Sequence, residues 1–306
     1  MPDLTVVILT YNEERHIGRA LDSVAGIASE VFVVDSQSTD RTVSIAEGKG
    51  AIVLQHKFVN QAKQFQWALD HAPIRGEWVM RLDADEVIGA PLAAEIGAKL
   101  PTLAPGVVGV NLRRRHIWMG RWVRHGGRYP LVLMRLWRRG CAVVEDRWMD
   151  EHILVRGGST VTFDNDFADD NLNDLGFFIH KHNQYATREA LEVLNRRHNF
   201  FAKPQGITAA GTSRQAAFKR WAKDEVYGRI PFTVSAPAYF LWRYLFQLGF
   251  LDGRSGLTYH FLQGCWYRFL VGAKVMELER AIAHLSDRRE IAAELSRLTG
   301  HPLAVE

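Results

Sequence analysis

Two carboxylates, Asp83 and Asp85, stand one residue apart directly after the strand-like run 78–82. At the end of a strand, such a pair presents oxygen ligands to Mg²⁺ or Mn²⁺, hard cations that keep coordination positions open for substrate phosphates. A divalent ion there neutralises the charge that grows on a departing nucleoside diphosphate. Asp-x-Asp is also a common surface pattern, and the preceding strand is what gives this pair its weight. The pattern predicts a divalent-metal site that binds a diphosphate.

Polar residues also follow two earlier strand-like runs, at 10–14 and 35–40. Lys63 opens the helical stretch before Asp83, where an ammonium group adds to the attraction of a helix N-terminus for phosphate; a solvated lysine is the alternative. The sequence contains neither Gly-x-Gly-x-x-Gly nor Gly-x-x-x-x-Gly-Lys-Ser/Thr. The usual glycine-rich backbone loop is therefore not what would hold the phosphates of a bound nucleotide.

Alternating elements must position these residues. β-Branched and apolar runs predict strands at 4–9, 31–34, 51–54 and 77–82. Apolar residues at helical spacing predict helices at 14–24, 40–47, 61–71 and 91–99, with Asp40 as an N-cap and Pro91 in a first turn. Because strand and helix alternate four times, the fold class is α/β, a mostly parallel sheet with helices on both faces. Ligands of such sheets bind at the carboxyl ends of the strands.

The composition fits a folded chain of one large domain or two modest ones. The chain has 306 residues, of which 47% are hydrophobic and 24% charged, and this excludes disordered, collagen-like and small disulfide-rich classes. Its two cysteines, Cys141 and Cys265, are far apart, so neither a disulfide framework nor a thiolate zinc site is expected. The first residues predict a buried strand and no signal peptide, which favours a cytoplasmic protein.

The middle of the chain is strand-like over 107–144 and strongly basic. Residues 113–139 contain nine Arg and no acidic residue. The Asp-rich stretch 164–174 lacks the spacing of a calcium loop and is expected to be a solvated loop. Helices are predicted from about 184 to 200 and from 213 to 226.

Aromatic residues dominate two later segments, 231–251 and 257–278. A membrane-spanning helix needs about 20 predominantly apolar residues, and both segments carry polar side chains within that length. A pair of helices lying in the lipid headgroup layer, joined by the turn 251–256, suits Trp and Tyr combined with Arg and Lys. An ordinary core or a dimer seam is the alternative.

Four motifs in order closely resemble the family 2 glycosyltransferases of the GT-A fold. They are Thr-Tyr-Asn-Glu-Glu (10–14), Val-Val-Asp-Ser (33–36) with Ser38-Thr39-Asp40, Ala-Lys-Gln (62–64) and Leu-Asp-Ala-Asp-Glu (82–86). The resemblance covers roughly the first hundred residues. It implies metal ligation by Asp83 and Asp85. It also implies UDP-sugar contacts from Thr10, Asn12, Glu13, Asp35, Ser38, Lys63 and Asp83, although an Arg often stands at the position of Lys63.

The middle of the chain resembles a bacterial subgroup that extends lipopolysaccharide core or lipid-linked exopolysaccharide. The matching residues are Met134-Arg135-Leu136-Trp137-Arg138-Arg139 and Trp148-Met149-Asp150-Glu151-His152-Ile153. Inverting transfer needs one carboxylate to take the proton of the acceptor hydroxyl. In an extended segment only one of two neighbours faces the site, and the subgroup's pattern favours Glu151 over Asp150. Alternatively, both pair with arginines, and His152 either completes the metal shell or is structural.

Together these observations predict a GT-A domain over 1–225, with nucleotide-sugar binding in 1–100 and acceptor binding and the catalytic base in 101–225. Amphipathic aromatic helices in 226–306 would attach it peripherally to the membrane. The predicted reaction moves a hexose, with inversion, from a UDP-sugar to a lipid-linked anionic saccharide, either lipopolysaccharide core or a polyprenyl-diphosphate-linked glycan, and depends on Mg²⁺ or Mn²⁺.

The nine Arg are expected to bind acceptor phosphates, on the cytoplasmic leaflet at the inner face of the cell membrane. A nucleic-acid partner is not expected because no recognition motif accompanies the arginines. A magnesium-dependent nucleotidyltransferase and a catalytically idle, nucleotide-binding membrane scaffold are the alternatives.

Overall fold

The computed structural model describes residues 2–145, 152–198 and 230–303. The chain divides into two compact units, Met1–Asn173 and Asp174–Glu306. This division differs from the predicted one, whose boundary at 225 lies outside the described residues. Helix Leu175–His198 belongs to the second unit because it packs against helix Tyr267–Ile282, where the hydroxyl of Tyr267 donates a 2.7 Å hydrogen bond to Glu189.

The first unit begins with the alternation that the sequence predicts. Its elements are β1 (Leu4–Thr10), α1 (Ile17–Val24), β2 (Glu30–Asp35), α2 (Thr42–Gly48), β3 (Ile52–Gln55), α3 (Gln61–His71), β4 (Trp78–Asp83), β5 (Glu86–Ile88) and α4 (Ala90–Lys99). The remaining strands are β6 (Val107–Trp118), β7 (Arg121–Val123), β8 (Leu131–Arg138), β9 (Ala142–Val144), β10 (Ile153–Val155) and β11 (Ser159–Asp170). Asp40 stands just before the N-cap of α2, yet its carboxylate accepts the Thr42 amide at 2.9 Å.

The main sheet has nine strands in the order β3-β2-β1-β4-β8-β6-β11-β5, with β7 paired to β6, and β9 and β10 form a separate ribbon. The four strands β3, β2, β1 and β4 are parallel, as predicted. Beyond β4 the sheet becomes mixed, because β8 runs antiparallel to both β4 and β6 while β11 runs parallel to β6. The mostly parallel prediction therefore holds for the first half of the unit only.

Helices cover both faces of the sheet, and strand β1 shows why. Val6 and Ile8 point into the core shared with α1 and α4, whereas Val7 points into the core shared with α3. All three are fully buried. A strand that is buried on both faces has a continuous run of apolar residues. Such a run predicts β1 from the sequence.

The expectation of a solvated loop at 164–174 is wrong over most of its length. Residues 159–170 form β11, which pairs with β6 so that Asp166 lies opposite Arg113 and Asp169 opposite His116. The Asp169 carboxylate contacts Nη1 of Arg114 at 3.3 Å and Nδ1 of His116 at 3.1 Å. These partners offset the low strand propensity of aspartate.

The second unit is helical. Its described elements are α5 (Leu175–His198), α6 (Phe232–Leu241), a π-helical turn (Trp242–Phe246), a 3₁₀ turn (Gly249–Asp252), α7 (Gly253–Phe261), a second π-helical turn (Leu262–Trp266), α8 (Tyr267–Ile282) and α9 (Arg288–Thr299). Among the described residues, no helix combines the length and the apolar character needed to cross a bilayer. The predicted helix at 213–226 lies outside those residues.

Candidate active site

The carboxyl ends of three neighbouring parallel strands bring the predicted polar clusters together. Thr10 of β1 lies opposite Asp35 of β2, and Leu9 of β1 lies opposite Asp83 of β4. Because β1 is the middle strand of the three, Asp35 and Asp83 flank its end on either side. The register thus places the first, second and fourth motifs of the chain at one edge of the sheet.

Asp35 is fully buried at this edge, and its carboxylate accepts three hydrogen bonds. One oxygen accepts the Thr10 hydroxyl at 3.0 Å and the Ser38 hydroxyl, and the other accepts the Ser38 amide at 2.8 Å. A buried carboxylate with several hydrogen bonds is held in a single orientation. Thr10, Asp35 and Ser38 therefore form one rigid group.

The loops that follow β1 and β2 are joined to each other by Asn12. Its backbone amide donates to the Ser38 hydroxyl at 2.8 Å, and its side-chain oxygen accepts the backbone amide of Thr39 at 2.8 Å. Asn12 and Gln37 both have positive φ, 53° and 64°, a region that non-glycine residues enter only where the surroundings hold them. Such residues concentrate at binding sites.

Glu13 is fixed through His16, a residue that the sequence analysis did not single out. His16 is buried; its Nδ1 lies 2.6 Å from Glu13 Oε2, and its Nε2 accepts the Leu172 amide at 2.8 Å. Because Nε2 accepts, the proton of the neutral ring is on Nδ1 and is donated to Glu13. The pair connects the loop after β1 to the end of β11.

Asp83 lies between two guanidinium groups. Arg81 Nε is 3.2 Å from one carboxylate oxygen and Arg135 Nη2 is 3.3 Å from the other. Burial by itself raises the pKa of Asp83, but these two cations outweigh it and hold that pKa well below its usual range. Asp83 is therefore ionised at any physiological pH, as a metal ligand must be.

Arg135 is held in turn by Glu86, which belongs to the quoted motif but received no predicted role. Glu86 is 1% exposed and Arg135 is 5% exposed; their side chains are in direct contact. The second oxygen of Glu86 accepts the Asp83 amide at 2.9 Å. Burial, with the charges of Asp83 and Asp169, raises the pKa of Glu86 above its usual range.

Asp85 lies at the same edge of the sheet, and its carboxylate contacts the side chain of Asn171. One of its carboxylate oxygens accepts the Asn171 side-chain amide at 2.9 Å, and its carbonyl accepts the Asp170 amide at 3.0 Å. Asp170 is itself bound to Nη1 of Arg19 at 2.9 Å. Asp85 therefore connects the Asp-x-Asp turn to the end of β11.

The Asp83 and Asp85 carboxylates are hard oxygen donors, which suit Mg²⁺ or Mn²⁺. Within the described parts of the chain, no three His, Cys, Asp or Glu side chains gather closely enough to hold a metal ion. The predicted third ligand, His152, has its Nδ1 3.2 Å from Glu145, and its side chain is 60% exposed. A metal held by the two aspartates would thus need further oxygen ligands, which a diphosphate and water can supply.

Lys63 is exposed in the first turn of α3, where its amide donates to the N-cap side chain of Asn60 at 2.7 Å. The next residue, Gln64, is fully buried, although the sequence analysis gave it no role. Its amide nitrogen donates to the Ser36 hydroxyl and to the His56 carbonyl, both at 3.1 Å. Gln64 thereby fixes the ends of β2 and β3 relative to α3.

The predicted phosphate-binding arginines are mostly engaged within the first unit. Six of the nine contact its own oxygens: Arg113 with the Asp164 carbonyl, Arg114 with Asp169, Arg115 with Asp166, Arg135 with Asp83 and Glu86, Arg138 with Glu77, and Arg139 with the Ile74 carbonyl. Arg121 and Arg124 are exposed, and the Arg124 guanidinium lies 5.3 Å from the centroid of the Trp122 ring. With Arg139, they are the three exposed arginines among the nine.

The candidate bases Asp150 and Glu151 lie outside the described residues. Their assignment stays a prediction.

A family model described as Glycosyl transferase family 2 matches residues 5–170. An uncharacterized glycosyltransferase of Rickettsia bellii is 41% identical over 93 residues, which are 30% of this chain and 31% of the relative. A low-salt glycan biosynthesis hexosyltransferase of Haloferax volcanii is 37% identical over 90 residues, 28% of this chain and 21% of the relative. The matched stretch thus spans a third or less of these relatives.

Solved structures of similar chains include glucosyl-3-phosphoglycerate synthase from Mycobacterium tuberculosis. In its complex with Mn²⁺, uridine diphosphate and phosphoglyceric acid, that chain is 24% identical, with 37% of this chain and 43% of that chain covered and a TM-score of 0.31. In its complex with Mg²⁺ and uridine diphosphate, the identity is 19%, the coverage 57% and 73%, and the TM-score 0.39.

Proposed function

The chain belongs to glycosyl transferase family 2, and we propose that it transfers a hexose from a UDP-sugar to a lipid-linked saccharide with inversion at the anomeric carbon. The observation that carries this proposal is the register that sets Asp35 and Asp83 on either side of the end of β1. A nucleotide base and its diphosphate are separated by a ribose, so a site for them needs two polar centres a short distance apart. Neighbouring parallel strands provide that separation.

The base and ribose would bind on the side of Thr10, Asp35 and Ser38, with the loop residues Asn12 and Glu13 beside them. The rigidity of this group supports the proposal, because a site held in place before binding loses less entropy when the ligand arrives. Lys63, exposed at the start of α3, is the proposed cation for the diphosphate.

Asp83 and Asp85 are the proposed ligands of Mg²⁺ or Mn²⁺. Such an ion, when bound, neutralises the charge that develops on the diphosphate leaving group. Arg81 and Arg135 keep Asp83 ionised for this role, and Asn171 orients Asp85. His152 as a third ligand stays a prediction.

In the proposed reaction the acceptor hydroxyl oxygen attacks the anomeric carbon from the face opposite the diphosphate. The new carbon–oxygen bond forms as the bond to the phosphate oxygen breaks, and UDP leaves. A carboxylate takes the hydroxyl proton, and Glu151 is proposed for this step ahead of Asp150.

The proposed acceptor is an anionic saccharide carried on a lipid at the cytoplasmic face of the cell membrane. Support comes from Arg121 and Arg124, which are exposed beside Trp122, since guanidinium groups pair with phosphate oxygens and an aromatic ring stacks on a sugar. The lipopolysaccharide-core and polyprenyl-diphosphate acceptors both fit this chemistry.

The test of the donor site is to replace both aspartates, Asp83→Ala with Asp85→Ala, and to measure UDP release from radiolabelled UDP-sugars with membranes as acceptor. We expect transfer to fall by at least about a hundredfold, together with loss of Mn²⁺ binding in a titration of the purified protein. Because Asp83 lies between the Arg81 and Arg135 guanidinium groups, Asp83→Asn is a second variant, which removes the charge and keeps the side-chain shape.

The matched control is Asp22→Ala, whose carboxylate lies on α1 and is 67% exposed. It should retain activity and Mn²⁺ binding. Full activity in the double variant would remove the metal site from the proposal. Release of pyrophosphate instead of UDP would identify a nucleotidyltransferase, and absence of any turnover in the unaltered protein would favour a scaffold.

The base assignment is tested by Glu151→Gln and Asp150→Asn, each of which removes a charge and keeps the size. Glu151→Gln should reduce kcat by about a hundredfold or more while leaving the KM for the UDP-sugar within about twofold. If Asp150→Asn shows this pattern and Glu151→Gln does not, the roles are exchanged.

A further inference from the structure

The second unit contains a helical hairpin, residues 232–266, in which α6 and its π-helical turn form one arm and α7 with the second π-helical turn forms the other. Apolar side chains are exposed around its reversal, residues 241–251, which we call the tip. Phe246 is 71% exposed, Trp242 is 51% exposed and Leu251 is 50% exposed. Leu241, Leu245, Leu248 and Phe250 are each at least 44% exposed as well. Water-soluble surfaces seldom expose so much apolar area in one place.

Three of the four Arg, Asp and His side chains of the hairpin are buried, and the fourth, Arg254, is exposed. Arg243 is 4% exposed, Asp252 is 3% exposed and His260 is 0% exposed. The Arg243 guanidinium lies 5.6 Å and 5.9 Å from the ring centroids of Tyr239 and Tyr259. In a protein surrounded by water, charges are on the surface and large apolar groups are inside. The hairpin shows the reverse: large apolar side chains are exposed at its tip, whereas Arg243, Asp252 and His260 are buried.

An apolar residue, Leu248, occupies a backbone conformation at the tip in which glycine or asparagine would be less strained. Leu248 has φ 61°, in the left-handed region, and its side chain is 47% exposed. Left-handed backbone is strained for an ordinary L-residue. The arms approach closely beneath it, since a Cβ added at Gly249 would lie 2.7 Å from His260 Cδ2.

We propose that the tip inserts into the hydrocarbon of one membrane leaflet and anchors the chain from one side. Residues 232–251 expose no charged side chain, whereas a protein–protein interface is bordered by a polar rim. The first exposed charge after the tip is a cation, Arg254, which suits an anionic lipid headgroup. Lipid is therefore favoured over a second copy of the chain.

The dimensions agree with insertion that stops short of spanning. The first arm contains a 10-residue helix and a 5-residue π-helical turn, which at 1.5 Å per residue make about 22 Å. The hydrocarbon of one leaflet is about 15 Å thick, half of a core of about 30 Å. The apolar end of the arm can enter one leaflet while its beginning stays outside.

This mode of attachment differs from the sequence-based expectation of helices lying flat among headgroups. It rests on the exposure and charge of the hairpin and is independent of the proposed transfer reaction. It would bring the chain to the surface where a lipid-linked acceptor resides.

The test is flotation of the purified 306-residue chain with vesicles of phosphatidylethanolamine and phosphatidylglycerol in a three-to-one ratio. We expect the chain to float with the vesicles and to remain bound in about 1 M NaCl, because apolar insertion is not screened by salt. Phe246→Glu should lower the partition coefficient at least about tenfold. The matched control, Leu298→Glu, changes an apolar residue of α9 that is 42% exposed and should bind as the unaltered chain does.

A second readout locates the tip by depth. Lipids brominated along the acyl chain should quench part of the tryptophan fluorescence of the unaltered chain, and Trp242→Phe should remove most of that quenching.

Unchanged flotation of Phe246→Glu, or release of the unaltered chain by salt, would overturn insertion. If the unaltered chain does not bind vesicles but forms a dimer in solution, and if Phe246→Glu converts that dimer to a monomer, then a second copy of the chain covers the tip instead of lipid. Hydrolysis of UDP-sugar in solution is measured separately on the same variants, so loss of anchoring is distinguished from loss of the active site.

Discussion

At the scale of single residues, the four side chains of Arg81, Asp83, Glu86 and Arg135 decide the state of the proposed metal site. Asp83 stays ionised because two guanidinium groups adjoin it, whereas Glu86 has its pKa raised by burial and by neighbouring carboxylates. The same short motif thus contains two carboxylates that both contact Arg135 but whose pKa values move in opposite directions. Sequence alone does not separate them, since both stand beside the same strand end.

We expect Arg135→Met to lower the free energy of unfolding by about 3–5 kcal/mol, because it leaves the buried Glu86 carboxylate without its cation. Urea denaturation at neutral pH measures the change. Arg121→Met, at an exposed arginine on β7, is the matched control and should change stability by less than about 0.5 kcal/mol. The double variant Glu86→Leu with Arg135→Met should recover part of the loss, and equal losses in Arg135→Met and Arg121→Met would contradict the role given to the pair.

At the scale of elements, one carboxylate attaches α4 to strand β11. Glu95 of α4 accepts the amides of Asp164 and Asn165, each at 2.9 Å, and the Lys99 ammonium at 2.7 Å. Burial raises the pKa of Glu95, but these hydrogen bonds outweigh it and the pKa falls from 4.5 to about 2. The Asp-rich strand is therefore fixed at its middle by a helix side chain.

The lowered pKa gives a pH dependence of definite sign. The ionised form of Glu95 is favoured in the folded state, so its contribution is complete above pH 4.5 and is lost as the pH falls toward about 2. We expect Glu95→Gln to destabilise the chain by about 2–3 kcal/mol near pH 7 and by progressively less below pH 4.5. Urea denaturation across that range measures both chains.

Glu47→Gln, at an exposed position of α2, provides the comparison and should have a small effect at every pH. A loss in Glu95→Gln that is the same at pH 7 and pH 3 would show that the charge of Glu95 does not stabilise this contact.

At the scale of the whole molecule, the sequence predicted what depends on neighbours along the chain and missed what depends on distant pairing. Strands β1 to β4 were found because each is a compact apolar run, and the site edge followed from their parallel order. The place of β11 was missed, because its aspartates contact arginines and a histidine of β6 that lie about fifty positions earlier in the chain. For the same reason the arginine run was interpreted as a surface for ligands when most of it pairs with oxygens of its own unit.

The residues of the candidate site divide in the same way. Thr10, Asp35 and Asp83 were predicted from motif and strand end, and they lie at one edge. His16, Gln64 and the role of Glu86 were missed, because a buried polar residue inside a helix or after a strand looks like any solvated one until its partner is known. The packing of helix α5 on α8, some eighty residues further on, likewise depends on residues far apart in the sequence.

The parallel register of β1 makes this strand intolerant of insertions and deletions. Successive side chains of a strand alternate between faces, so one residue added between Leu4 and Val7, with the pairing of Leu4 kept, would send Val7 to the side of the sheet that Val6 and Ile8 occupy. It would also turn the Thr10 hydroxyl away from Asp35. Length variation among homologous chains should therefore fall in the connections between strands and never inside this one, however freely its individual apolar residues are exchanged for one another.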